Sequence, residues 1–110
     1  MSLSREAGGL LRIVHEQRHD DGIDMGGELV LEQTAASWVA DRLDDASEGA
    51  PNVDQVIGVD HFTVYSGGSD SQPFVHLHNQ RDASAPRGKL YTLGMQVPAT
   101  KQLVGLLRGA

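Results

Sequence analysis

Cysteine is absent from this chain of 110 residues, which excludes disulfides, thiolate metal sites and cysteine nucleophiles. Aromatic residues are scarce: Trp38, Phe62, Tyr65, Phe74 and Tyr91 are all there are. A core must therefore rest mainly on Leu, Val, Ile and Ala. Basic residues are few and scattered, and the formal net charge is −6. Such a chain is a poor match for a phosphate backbone, whose binding relies on Lys and Arg. The nearest approach to a basic cluster, Arg81, Arg87 and Lys89, falls in one loop region and reads as a solvated connection. No apolar run approaches the roughly 20 residues of a membrane span. The opening Met1-Ser2-Leu3-Ser4-Arg5 carries no apolar signal segment. These absences point to a soluble, cytoplasmic protein with neither a nucleic-acid nor a membrane partner.

The composition, 39% hydrophobic and 22% charged, is that of an ordinary globular domain. The length suits one core and not two, so a single domain over 1–110 is expected, with 1–9 as a flexible N-terminus. Hydrophobic spacing then places the elements. Leu10 to Gln17 reads as a strand, and Asp20-Asp21-Gly22 and Gly26-Gly27 bound a turn. Glu28 to Glu32 is a second strand. Thr34 looks like an N-cap, and Ala36, Val39, Ala40 and Leu43 form the apolar stripe of a helix running to about Ala46. Asp41, Asp44 and Asp45 fall on its outer, solvated side. After a loop from Ser47 to Asn52, three strands follow: Val56 to Tyr65, Phe74 to Gln80 and Lys89 to Met95. The stretches Ser66 to Pro73 and Arg81 to Gly88 read as hairpin loops. Pro98 opens a last helix, with Ala99, Leu103, Leu106 and Leu107 on one stripe and Gly109 at its end. The expected fold is a two-layer α+β domain, order ββα-βββα. About five mainly antiparallel strands carry two helices on one face. His-x-Gln-Arg occurs at His15 to Arg18 and again at His78 to Arg81, a faint echo between the halves.

Two segments suggest chemistry. His15-Glu16-Gln17-Arg18-His19 spells HExxH and resembles the zincin metallopeptidases in this pentapeptide. The resemblance implies His15 and His19 as zinc ligands and Glu16 as general base. It requires a helix, from about Ser4, that would place residues four apart on one face. Gly8 and Gly9 would weaken such a helix, Ile13 and Val14 favour a strand, and no third ligand stands out downstream. A strand ending in a polar turn is the expectation. The stretch from Gly58 to Val64, containing His61, resembles the opening strand of vicinal-oxygen-chelate enzymes, in which the His binds metal. Those modules continue into a helix, whereas Ser66-Gly67-Gly68-Ser69-Asp70 leads here to another strand. The ββα-βββα order, with Val97-Pro98 before a Leu-rich last helix, is similar in layout to emfourin-type inhibitors of thermolysin-like peptidases. That likeness implies a peptidase-inhibitor-like module.

The sharper lead is side-chain alternation. A symmetric hairpin through 66–73 would pair Tyr65 with Phe74, Thr63 with His76 and His61 with His78. Val64 would then meet Val75, and Phe62 would meet Leu77. One face would be apolar and covered by helices. The other would gather His61, His76 and His78, with Tyr65, Phe74, Thr63 and Thr92 nearby. Three neutral imidazoles with one open position are a catalytic-type zinc arrangement, although no carboxylate in the pattern orients them. The favoured expectation is a non-catalytic interaction module without a cofactor. Its Tyr65, Phe74, Thr63, Thr92 and histidine face would meet a protein partner or a second copy. The alternative is a metal-dependent enzyme using zinc at His61, His76 and His78, or at His15 and His19.

Overall fold

A computed structural model describes residues 1–16, 26–69 and 71–110, the side chain of Gln72 excepted. The chain forms β1 (Ser2–Glu6), β2 (Leu10–His15) and β3 (Gly27–Glu32), then a 3-10 turn (Gln33–Ala35) and α1 (Ala36–Ser47). β4 (Val53–Ile57), β5 (Asp60–Ser69), β6 (Gln72–Arg81), β7 (Leu90–Gln96) and α2 (Val97–Arg108) complete it. The result is one α+β domain. Among the described residues, its open antiparallel sheet has seven strands in the order β1-β2-β3-β7-β6-β5-β4. Two meanders, β1 to β3 and β4 to β7, meet where Glu28 of β3 pairs with Thr92 of β7. The crossover through α1 carries the chain from mid-sheet to the far edge.

The expectation of five strands is corrected by β1 and β4. β1 lies in the segment read as a flexible N-terminus and has a single apolar side chain, Leu3. Its order comes from the backbone ladder to β2, in register from Ser2↔Val14 to Glu6↔Leu10. β4 was hidden because Val56 to Tyr65 reads as one strand. Gly58 breaks it: its φ of 61° costs glycine little and lets Ile57-Gly58-Val59-Asp60 turn back. β4 then pairs with β5 from Val53↔Val64 to Ile57↔Asp60.

Both helices pack against the same face of β5 to β7 and against each other. Pro98 stands in the first turn of α2. Thr34, expected as an N-cap, lies instead within the 3-10 turn, and Ala35 at the N-cap of α1 makes no side-chain cap hydrogen bond. The core joins Leu11, Ile13, Leu29 and Leu31 of the first meander to Phe62, Val64, Leu77, Leu93 and Met95 of the second. Val39, Leu43, Leu103 and Leu107 close it from the helices. Trp38 lies over Phe62, with ring centroids 5.8 Å apart. The acidic side of α1 is not simply solvated. Lys101 donates to Asp44 at 2.6 Å and Arg108 to Asp41 at 3.2 Å, tying α2 to α1. The Lys101 hydrogen bond holds the Asp44 carboxyl below its usual pKa.

Candidate interaction face

The face of the sheet away from the helices presents the alternate residues expected of it, in a different register. β5 runs on to Ser69 and β6 begins at Gln72, and these two residues pair. The expected loop is therefore mostly strand. Glycine and serine over 66–69 gave no strand signal, yet the backbone ladder includes them. The pairing consequently differs from the expected one by two residues. Tyr65 faces His76, Thr63 faces His78, and His61 faces Gln80. An even shift keeps every side chain on its expected face but changes every cross-strand partner.

The expected convergence of three histidines depended on His61 opposing His78, and that pairing does not occur. His61 turns instead toward β4, where its Nε2 donates to Asp54 Oδ1. Thr63 donates to the other oxygen, Asp54 Oδ2, at 3.2 Å. The His61 hydrogen bond, then that from Thr63, holds the Asp54 carboxyl below its usual pKa. Asp54 is the carboxylate missing from the alternation pattern, because it belongs to the strand that the sequence concealed. Among the described residues, no three His, Asp or Glu side chains form a group able to hold a metal.

His76 and His78 organise around Tyr65. The Tyr65 ring stacks on His76 with centroids 4.7 Å apart and planes 12° apart. It also lies nearly parallel to His78 at 5.4 Å, and its hydroxyl is hydrogen-bonded to His78 Nε2 at 3.0 Å. Burial, and secondarily the neighbouring charge of His78, pushes the His76 pKa down. His76 therefore favours its neutral form. Phe74 extends the row with its ring 6.5 Å from His76, beside a surface depression shared with Ser47, Gly67 and Val97. Thr92 stands across from His78 on β7. All four expected face residues thus flank one stacked cluster, with Tyr65, Phe74 and Thr63 half-buried and Thr92 exposed.

The HExxH expectation meets a strand. His15 ends β2, opposite Gly27 of β3, so the helix that would bring a histidine four residues on to the same face is not formed at His15. Residues 17–25, with His19, lie outside the described residues.

The sequence reading missed a second polar assembly, at the other end of β5 and β6 and on the helix-covered side. Arg81 is buried, and its guanidinium donates to Asp60 Oδ1 at 2.7 Å, Glu32 Oε1 at 2.9 Å and the Pro86 carbonyl at 2.7 Å. Asp60, also buried, accepts further bonds from Asn79 Nδ2 and the Glu32 backbone N–H. Asn79 donates to the Val30 carbonyl as well, at 2.8 Å. Burial pulls the Arg81 pKa down, but its bonds to Glu32 and Asp60 outweigh that and raise it. A signal was present. Asp60 shares the phase of Phe62 and Val64, while Asn79 and Arg81 share that of Val75 and Leu77. Opposite charges in apolar phase, at positions that pair directly, mark a buried ion pair.

Comparison with protein-family models finds no match, and comparison with curated proteins finds none either.

Proposed function

We propose that this domain is a non-catalytic binding module whose uncovered sheet face receives a protein partner. The observation that carries the reading is the Tyr65, His76 and His78 stack on a face that neither helix covers. Half-buried aromatic anchors within a polar rim are what protein-binding patches use. The stack fixes the rings before a partner arrives, which lowers the ordering cost of association. Thr63 and Thr92 supply uncharged polar contacts beside it. The acidic charge of the whole chain favours a partner that is neutral or basic at this contact.

The test is capture with tagged wild-type protein beside Tyr65→Ala, Phe74→Ala and, as a control on the helix layer, Gln102→Ala. The double variant should weaken the binding of a captured partner by about 30-fold or more, the scale of a lost hot spot near 2 kcal/mol. The control should bind as wild type does. Circular dichroism confirms that each variant is folded. A partner held equally by the wild type and the folded double variant would overturn the assignment of this face.

A further inference from the structure

The two edges of the sheet are built differently. At the β1 edge charges stand guard: Glu6 contacts Arg12 and Arg87 through ion pairs, and Arg5 is exposed beside it. Charged side chains on an edge strand discourage pairing with another chain. β4 has no such protection. Val-Asp-Gln-Val-Ile contains neither Lys nor Pro, and its single charge, Asp54, is engaged by its own His61 and Thr63. Among the described residues the exposed large apolar side chains are Val56 (60%), Leu90 (55%) and Val59 (39%). Two of these lie on β4 or in the turn that follows it. An open edge with exposed valine is a template for a further strand.

We propose that β4 pairs with β4 of a second copy, antiparallel about a two-fold axis at Gln55. The strand reads suitably in both directions about that residue. Val53 falls opposite Ile57, Asp54 opposite Val56, and Gln55 opposite itself. Val53 and Ile57 share the helix-covered side through their partners Val64 and Asp60, while Asp54 and Val56 lie on the open side with Thr63 and His61. Facing residues therefore agree in phase, apolar meets apolar on either side of the central Gln55 pair on the covered side, and no carboxylate opposes another. The pairing works whichever alternate set of β4 backbone groups points outward, because each matched pair has the same parity. A two-fold contact also closes. Pairing β4 with β1 of another copy would set Arg5 or Glu6 against valine and leave free edges that propagate. The two-fold dimer brings both open faces to one side, a larger surface than one chain offers. The edge contact does not depend on what that face binds.

The absence of cysteine provides a clean test. Opposed residues in an antiparallel pair have Cβ atoms about 5 Å apart, close to disulfide reach. Under mild oxidation, Gln55→Cys should form a covalent dimer at least tenfold faster than the helix-surface control Gln102→Cys. Adding Val56→Glu, which sets a carboxylate directly opposite Asp54 of the second copy, should remove that advantage. In sedimentation at rising concentration, wild-type mass should climb from 11.8 kDa to twice that value and stop, while Val56→Glu stays monomeric. Val56 is exposed, so the substitution leaves the monomer fold in place, which circular dichroism verifies. Equal oxidation rates for the two thiols, or a wild type that stays monomeric, would overturn the proposal. Assemblies growing beyond the dimer would overturn it in favour of β4 pairing with β1.

Discussion

Replacing Asp60 by alanine should be the most damaging single polar change among the residues described above. Asp60 is fully buried and accepts bonds from Arg81, Asn79 and the Glu32 backbone. Asp60→Ala leaves the buried guanidinium of Arg81 with only Glu32 and the Pro86 carbonyl. It also removes the acceptor of the Glu32 N–H. Stranding one member of a buried ion pair costs about 3–5 kcal/mol. That is a large fraction of the ~5–15 kcal/mol that holds a typical domain together. With a urea slope near 1.5 kcal/mol per molar, the unfolding midpoint should fall by about 2–3 M. Trp38, packed on Phe62 two residues along β5, reports the transition by fluorescence. The double variant Asp60→Leu, Arg81→Met should lose less than the two single changes summed, with a coupling of about 1–3 kcal/mol. A pair of apolar side chains strands no charge. An Asp60→Ala protein within about 1 kcal/mol of wild type, or an additive cycle, would refute a role for this network in stability.

Two further outcomes follow from the sheet. A Cβ at Gly27 would lie 2.1 Å from the Thr92 carbonyl oxygen, next to the pair that joins the two meanders. Gly27→Ala should therefore cost about 1–3 kcal/mol as an overpacked contact, and an unchanged urea midpoint would contradict the close approach of β3 to β7. The pKa of His76 is depressed below its ordinary 6.5, so its neutral form is favoured in the folded state. The stability this contributes is complete above pH 6.5 and is lost as pH falls through the lower folded value. Wild-type stability should thus decline more steeply than that of His76→Gln as pH drops below 6.5, and parallel curves in urea titrations would count against the stacked geometry.

What the sequence determined by itself was the local periodicity and its consequences. Alternation in β5, β6 and β7 assigned Phe62, Val64, Val75, Leu77, Leu93 and Met95 to the covered face, and Tyr65, His76 and His78 to the open one. The apolar stripes and Pro98 located both helices. These survive because a side chain's face depends only on its own strand or helix. Register, edges and buried pairings were decided by the tertiary structure. The ladder includes residues 66–69, which carry no strand signature, and the two-residue shift replaces a histidine pair with Tyr65 facing His76. β1 forms with one apolar side chain because backbone hydrogen bonds to β2 need none. Asp54 reaches His61 only once Gly58 folds β4 back on β5. Glu32 and Arg81 are 49 positions apart, and their bond exists because β3 and β6 are gathered onto one core. Hydrogen bonds between distant segments depend on where the strands meet, and local periodicity carries no record of that.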